Sequence, residues 1–407
     1  MQKKRGAFAL AGRSRTAWFR GLAATSLAVL IAAGAARAEE ATPLRIGFLG
    51  SYSGGGAAFG QETDTAIKIW MEQHGDTVAG RKIVLLRRDT QGQANIVRQE
   101  AAELVSRDKV ELIAGIALTP EALAAATVST PAHMPVLIVN AATKSILDHA
   151  PYLARFGFTT GQEVAPFGPW AVKHGYRNVY AIYTDYGPGL EAGRVFKRTF
   201  TAAGGTIVGE VKPPFTTPDY SPYLQRAKDA HPQAIFIFAP AAGHPVAFLK
   251  AYSDAGLNAQ NMPVLATGDL ADENEFAQLG DAALGMITVF DYSESHNSPL
   301  NRAFVKAFYA AAPAGMRPEF TAVAAYDVMH AIYDIVAAQG GKLNPDKTMA
   351  LLKGMHFESP RGPIAIDQNR DIVENIYIRK VEKIGDKLQN VEFDTIPKVN
   401  DVGEPLK

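Results

Sequence analysis

The chain has 407 residues, with 41 basic and 41 acidic side chains and 47% hydrophobic residues. This composition is typical of a globular protein long enough for two domains, and the balanced charge gives no reason to expect nucleic acid as a partner. The absence of cysteine excludes a disulfide framework, a thiolate zinc site and a cysteine nucleophile.

The N-terminus predicts a secretory signal. A basic segment, MQKKRGAFALAGRSRTAWFR, is followed by the apolar run LAATSLAVLIAAGAA and by a small-x-small cleavage pattern at Ala36-Arg37-Ala38. The apolar run is too short to span a membrane comfortably, which disfavours a membrane anchor. We therefore predict that residues 1–38 are a secretory signal peptide and that the mature chain, beginning near Glu39, is soluble.

The mature chain alternates β-rich apolar runs with helical patterns, which predicts a doubly wound α/β fold. Runs of four to eight apolar residues are typical of parallel strands covered on both faces. The number of strands favours two lobes, with a break near residues 151–168, and two helices are predicted later at 299–312 and 320–339. The predicted strands are, in chain order, LRIGFL, KIVLLRRD, VELIAG, PVLIVN, NVYAIYTD, TIVGEV, AIFIFA, PVLATG and GMITVF, followed by a β-rich tail with GPIAID and NIYIRKVEK.

The loop GSYSGGGAAFG follows the first predicted strand and carries no known catalytic signature. It has no Lys-Ser or Lys-Thr pair for a phosphate loop, and Tyr52 occupies the position that a nucleophile elbow gives to serine. Its glycine spacing misses the dinucleotide fingerprint, and no H-E-x-x-H pattern occurs in the chain. We therefore expect no enzyme activity, no cofactor and no metal; a secreted hydrolase with dispersed catalytic residues is the enzymatic alternative. The loop is either a flexible connection or a ligand-binding segment at the end of a strand.

Two further loops follow strands at the same kind of position. Thr119, before Pro120 and Glu121, is a predicted N-cap, and Thr143 lies at another predicted helix start. Both threonines can be helix caps only, or their hydroxyls and nearby N–H groups can face one crevice and bind a carboxylate.

The order and spacing of several motifs resemble those of the periplasmic solute-binding proteins of ABC importers, in particular the leucine/isoleucine/valine-binding type. The motifs are GSYSG, AGxxxTPEA, VNAAT, YTDYGPGLEAG and GDAALGM, and the resemblance covers about Thr42 to Lys383. It implies a type I periplasmic-binding-protein fold, with two doubly wound lobes joined by a three-segment hinge. We expect lobe 1 at 43–160 plus 293–345, and lobe 2 at 161–292 plus 346–400.

The resemblance also implies where a ligand binds. In such proteins the loops matching Thr119 and Thr143 hold the ligand carboxylate, Tyr186 closes over the ligand, and Asp269 pairs with an ammonium group. Alanines at 241 and 242 stand where amino-acid binders often carry aromatic residues, which enlarges the pocket. The predicted ligand-binding residues are Tyr52, Phe59, Leu118, Thr119, Ala141, Ala142, Thr143, Tyr186, Ala241 and Asp269.

We therefore predict a monomeric periplasmic receptor that captures a small carboxylate by hinge closure and delivers it to an ABC permease in the inner membrane. An amino acid, branched-chain or other, is the first ligand class, because Asp269 can pair with its ammonium. Aromatic carboxylates such as hydroxybenzoate-like acids are the alternative. A sensory binding protein that feeds a membrane receptor would have the same fold.

Overall fold

The computed structural model describes residues 42–217, 219–241 and 243–401, so the predicted signal peptide and Ala242 lie outside the described residues. Within these ranges the chain forms strands β1 (Leu44–Gly50), β2 (Thr77–Val78), β3 (Arg81–Asp89), β4 (Leu112–Gly115), β5 (Val136–Ile138), β6 (Leu153–Arg155), β7 (Asn178–Tyr183), β8 (Thr206–Val211), β9 (Ala234–Phe238), β10 (Val264–Thr267), β11 (Ile287–Phe290), β12 (His356–Ser359), β13 (Gly362–Ile366), β14 (Ile372–Ile384) and β15 (Lys387–Val399). The helices are α1 (Ala57–His74), α2 (Ala94–Ser106), α3 (Thr119–Ala132), α4 (Thr160–Lys173), α5 (Gly187–Ala202), α6 (Ser221–Asp229), α7 (His244–Asp254), α8 (Phe276–Leu279), α9 (Pro299–Ala311), α10 (Phe320–Ala338) and α11 (Pro345–Leu352).

Two sheets define two lobes. The lobe 1 sheet has the order β2-β3-β1-β4-β5-β6 and is parallel except for β2. In lobe 2, β8, β7, β9, β10 and β11 run parallel, and β14 adds antiparallel to β11 and pairs with β15. The predicted fold class, two doubly wound α/β lobes of the type I periplasmic-binding-protein fold, is confirmed.

All nine strands predicted in the body of the chain form at the expected places, whereas β2 and β6 were missed. β2 and β6 are only two and three residues long, which is too short for a hydrophobic period to show. One predicted cap is wrong: the N-cap of α3 is Leu118, and Thr119 is already its first helical residue. The Thr119 side chain is therefore free for another partner.

The central helix of lobe 1 is α10. It is long and apolar enough to cross a membrane, but 83% of its most apolar window is buried inside the fold. It packs together with α1 against the lobe 1 sheet, around Trp70, Tyr326 and Met329. The apolar character of α10 is therefore explained by its position in the core.

The segment 346–372, which the sequence assigned to lobe 2, contacts both lobes: β12 and β13 hydrogen bond through β14 into the lobe 2 sheet, whereas its apolar side chains pack in the lobe 1 core. Met349 and Leu352 of α11 and Ile364 of β13 lie in the lobe 1 core, whereas Ile376, four residues beyond Ile372, lies in the lobe 2 core. The chain therefore crosses between the lobes within β14. Because a β-rich tail can add to either sheet, its sequence pattern alone could not decide this boundary.

Three segments of chain connect the lobes, and one buried side chain contacts all of them. Arg361 forms ion pairs with Asp291 (2.6 Å), just after β11, and with Glu374 (3.0 Å), in the crossing part of β14. It also donates to the carbonyl of Phe156, between β6 and α4, and pairs with Asp327 of α10 at 2.8 Å. These partners make Arg361 the common fixed point of the three crossovers, in a place where an unpaired charge would be costly.

Candidate functional site

The glycine-rich loop after β1 is shaped by close contact with the start of α1. A side chain at Gly60 would place its Cβ 2.3 Å from the carbonyl oxygen of Ser51, so only glycine allows this approach. The loop is fixed from the other side by Asp89, which accepts hydrogen bonds from the N–H of Tyr52 (2.9 Å) and the hydroxyl of Ser53 (2.6 Å). The loop is thus a rigid rim at the carboxyl edge of the lobe 1 sheet.

The two threonines predicted to bind a carboxylate lie side by side. The hydroxyl oxygens of Thr119 and Thr143 are 3.1 Å apart, although they follow different strands, β4 and β5. Neither hydroxyl caps its own helix. Two adjacent hydroxyls at the carboxyl ends of parallel strands can donate hydrogen bonds to an anionic oxygen.

A buried arginine fixes the loop that carries Thr143. Arg155, at the end of β6, donates to the carbonyls of Ala141 (2.6 Å) and Thr143 (3.1 Å) and pairs with Asp371 at 2.9 Å. Ala141 has a positive φ of 72°, which is uncommon for alanine. Arg155 therefore holds a strained loop in position from below, so its hydroxyl and backbone groups are preorganised.

Four phenylalanines from separate elements meet between the lobes. Phe158, Phe290 and Phe320 form a buried cluster with ring centroids 5.1 to 5.5 Å apart, and Phe59 packs on Phe320 at 5.7 Å. Ala142, one residue before Thr143, also packs against this cluster. The hydroxyl pair of lobe 1 is thus adjacent to an aromatic wall.

Asp269 joins this wall to the second lobe. The preceding Gly268 lies directly on the Phe290 ring, with no room for a Cβ, and the Asp269 carboxylate accepts a hydrogen bond from Thr267 at 3.2 Å. Among the described residues no basic side chain pairs with it. Burial raises the pKa of Asp269 to about 7, although the hydrogen bond from Thr267 acts to lower it. The carboxyl can therefore be ionised or protonated near neutral pH.

Aromatic side chains form the lobe 2 side of the cleft. Tyr186, the residue before α5, contacts Phe215 (ring centroids 5.0 Å apart) and Phe238 (6.1 Å). Burial and the charge of Asp269 raise the pKa of Tyr186 well above its usual range, so its hydroxyl stays protonated and near that carboxylate. A Cβ on Gly187, the next residue, would lie 3.8 Å from the Thr143 hydroxyl of lobe 1. The two lobes therefore approach each other closely at Tyr186.

The remaining predicted residues divide into those near this cleft and those elsewhere. Ala241 follows β9 at the same edge of the sheet, which agrees with a place in the cleft. The Tyr52 ring covers Gly50, and its hydroxyl lies 3.5 Å from Asp64 on α1, so its main partners are within lobe 1. Leu118 faces Gly92. Their contact with a ligand stays a prediction.

Sequence reasoning missed several residues of the cleft. Phe158, Phe290 and Phe320 are single aromatic residues at element ends, and Arg155 looks like part of an apolar strand. Glu163, in the first turn of α4, is fully buried, and neither carboxylate oxygen has a hydrogen-bond partner among the described residues. Burial is the main cause that raises the pKa of Glu163 well above its usual range, and the negative charges of Asp269 and Asp291 raise it further. The only sequence signal was their position next to strand and helix boundaries.

The arrangement brings polar and aromatic groups of both lobes together. It offers hydroxyl donors on lobe 1, an aromatic wall between the lobes, and a carboxyl acceptor with a tyrosine hydroxyl on lobe 2. In the described part of the chain, no group of three or more histidine or acidic side chains is arranged to hold a metal ion.

The chain is similar in sequence and in fold to known solute-binding proteins. The sequence profile of the periplasmic binding protein family matches residues 43–386. A solute-binding protein of an ABC transporter from Rhodopseudomonas palustris BisB5, solved with 3,4-dihydroxybenzoic acid, is 43% identical and has a TM-score of 0.84, covering 89% of this chain and 99% of that one. A second one, from R. palustris HaA2 with p-hydroxybenzoic acid, is 37% identical with a TM-score of 0.85, covering 89% and 98%. The Leu/Ile/Val-binding protein homolog 6 of Brucella melitensis biotype 1 is 38% identical over 387 residues, which are 94% of this chain and 98% of the relative.

Proposed function

The chain belongs to the periplasmic binding protein family of ABC transporter solute-binding proteins, and we propose that its ligand is an aromatic carboxylate with a ring hydroxyl. The ligand is captured between the lobes and handed to a permease of the inner membrane. The observation that carries this proposal is the four-phenylalanine cluster beside the Thr119–Thr143 hydroxyl pair. Two of the similar structures hold hydroxylated benzoic acids, which supports the same class.

The proposed orientation follows from the two polar ends of the site. The ligand carboxylate accepts hydrogen bonds from Thr119 and Thr143, where the Arg155-supported loop presents preorganised donors. The ring packs against the phenylalanine cluster, since aromatic pairs prefer offset or edge-to-face contacts with centroids about 4.5–7 Å apart. The ring hydroxyl then faces lobe 2 and donates a hydrogen bond to the Asp269 carboxylate.

Asp269 supports a ligand with a donor at this end. An ionised carboxylate without a partner in a closed, water-poor cleft is costly. A phenolic hydroxyl satisfies it without bringing a full positive charge, and the pKa of about 7 suits a carboxyl that exchanges between the two states. A ligand with contacts on both lobes shifts the open and closed populations towards closure.

An amino acid is the second candidate ligand. The relative from B. melitensis is a Leu/Ile/Val-binding protein homolog by name, and an ammonium group would also satisfy Asp269. This candidate would place an aliphatic side chain against four aromatic rings, so the ligand would gain burial but no specific ring–ring contacts.

Calorimetry on ligand-stripped protein tests the proposal. Protein that has been unfolded, dialysed and refolded is titrated with 4-hydroxybenzoate, benzoate, phenylalanine and leucine. We expect the tightest binding for 4-hydroxybenzoate, and benzoate weaker by about ten- to a hundredfold, because a hydrogen bond to a charged group is worth about 1.5–3 kcal/mol. Binding of leucine or phenylalanine without binding of 4-hydroxybenzoate would refute the aromatic-acid assignment in favour of the amino acid.

A further inference from the structure

Phe215 is an exposed aromatic residue at the carboxyl edge of the lobe 2 sheet. Phe215 follows β8, which is paired with β7. Tyr186 and α5 follow β7, so both loops lie at the same edge of the sheet. The Phe215 side chain is 50% exposed, although most phenylalanines of the described chain are core residues. Phe215 is not among the residues of the two lobe 2 core clusters.

The loop that carries Phe215 is firmly held. The N–H of Asp185 donates to the carbonyl of Pro213 at 2.8 Å, and the N–H of Thr217 donates to the carbonyl of Pro214 at 2.9 Å. The imidazole ring of His244 packs on the Phe215 ring, with ring centroids 5.7 Å apart. An exposed ring on a fixed backbone loses little freedom when a ligand covers it.

His244 itself is fixed by a second partner. Its Nδ1 lies 3.0 Å from the hydroxyl of Tyr220, which is buried. Burial lowers the pKa of His244, which favours the neutral ring. In the neutral ring one nitrogen accepts and the other donates, so the tautomer with an unprotonated Nδ1 can accept the hydrogen bond of Tyr220.

The ring of Phe215 continues the aromatic wall of the cleft. It packs at 5.0 Å on Tyr186, which lies near Asp269, and Tyr186 precedes the place where Gly187 approaches Thr143 of lobe 1. The exposed side of Phe215 is therefore separated by one aromatic ring, that of Tyr186, from the place where the two lobes meet.

We propose that Phe215 is a specificity-determining residue that packs on the ring of the bound ligand and selects aromatic over saturated carboxylates. This inference rests on the proposed function and adds a residue to the same site. Closure of the lobes brings the ligand ring against the exposed side of Phe215, while Tyr186 and His244 hold its orientation. Stacked and edge-to-face contacts reward an aromatic ring, whereas a saturated ring of similar size gains burial only.

The test compares Phe215→Ala and Phe215→Leu with a matched control, Phe393→Ala. Phe393 on β15 is 51% exposed and contacts Trp170, so it has the same residue type and exposure as Phe215 but lies elsewhere on lobe 2. Each ligand-stripped protein is titrated calorimetrically with 4-hydroxybenzoate, benzoate and cyclohexanecarboxylate. Melting temperatures with no ligand show whether each variant is folded.

We expect Phe215→Ala to weaken both benzoates by about tenfold and Phe215→Leu to weaken them by about threefold or more. Cyclohexanecarboxylate should bind Phe215→Leu as well as it binds the wild type, and Phe393→Ala should match the wild type with every ligand. Equal affinities of Phe215→Ala and Phe393→Ala would overturn the inference, and so would an equal loss for the aromatic and saturated acids in Phe215→Leu.

Failure of the proposed function has a different signature, because it is read from the wild type alone. If the wild type binds leucine and no benzoate, the aromatic-acid assignment fails and the aromatic selectivity of Phe215 falls with it. The contact itself is then decided with leucine as the probe, through the same comparison of Phe215→Ala with Phe393→Ala.

Discussion

Replacing Arg361 with methionine tests whether the three crossovers depend on one buried guanidinium. The change keeps an unbranched side chain of similar length and removes the charge. It leaves Asp291, Asp327 and Glu374 without their common partner, and all three carboxylates are buried. Breaking a buried ion-pair network from one side costs about 3–5 kcal/mol, because the remaining charges stay desolvated.

This cost translates into a measurable change in melting temperature. The entropy of unfolding is roughly 2.1 cal/mol/K per residue near 60 °C, which is roughly 0.75 kcal/mol/K for a folded unit of about 360 residues. We therefore expect Arg361→Met to lower the melting temperature by about 4–7 °C at pH 8. Calorimetric or circular-dichroism melting of the ligand-free protein measures it, and Arg302→Met on the exposed face of α9 is the control.

The pH dependence identifies the cause of the loss. Burial raises the pKa of Asp327 to about 6 and raises those of Asp291 and Glu374 even with Arg361 present. For an acid whose pKa is raised by folding, stability is retained at low pH and lost as the pH rises towards the folded-state pKa. The deficit of Arg361→Met should therefore be smaller at pH 5 than at pH 8. A deficit no larger than that of Arg302→Met would refute the role of Arg361, and one independent of pH would refute the unpaired carboxylates as its cause.

Three further predictions concern the cleft and its buried acids. Thr143→Val should weaken 4-hydroxybenzoate binding by roughly ten- to a hundredfold in calorimetry, if its hydroxyl donates to the carboxylate; the exposed Thr201→Val is the control, and unchanged affinity would leave Thr143 only a structural role. Because the pKa of Asp269 is about 7 and a phenol donor favours the ionised form, 4-hydroxybenzoate affinity should rise between pH 5.5 and 8, by up to about tenfold per unit below pH 7. Benzoate affinity should fall over the same range, and Asp269→Asn should remove both trends; matching trends for the two ligands would contradict this assignment. Glu163→Gln should raise the melting temperature relative to the wild type more at pH 8 than at pH 4.5, because burial raises the pKa of Glu163 and each unit is worth about 1.4 kcal/mol; a difference that does not change with pH would show that the carboxyl titrates normally.

The architecture of this protein follows from its sequence pattern. Most of the nine strands located from the sequence are buried along most of their length and read as continuous apolar runs, although β3 and β8 are partly exposed. The pattern also indicated the functional edge, because loops that follow parallel strands meet at one end of a sheet. Thr119 and Thr143 were found in this way, and their hydroxyls do come within 3.1 Å of each other.

Contacts between residues far apart in the chain depend on tertiary packing. Phe59, Phe158, Phe290 and Phe320 come from four separate parts of the chain, and nothing in their local sequence indicates one cluster. The same holds for Arg361, whose partners lie 13 to 205 residues away along the chain, counted from Glu374 and Phe156. Local pattern reports which side of a helix or strand is buried, but it does not report what is packed against that side.

The direction of single side chains and the lobe of the C-terminal segment were likewise decided by packing. Tyr52 was predicted from its loop to contact a ligand, which stays a prediction, and in the structure its hydroxyl lies near Asp64 of α1. The strands of residues 346–372 hydrogen bond to β14 of the lobe 2 sheet, whereas the apolar face of α11 is buried on lobe 1. For the segment 346–372 a local preference was compatible with two arrangements, and contacts with residues distant in the sequence selected one of them.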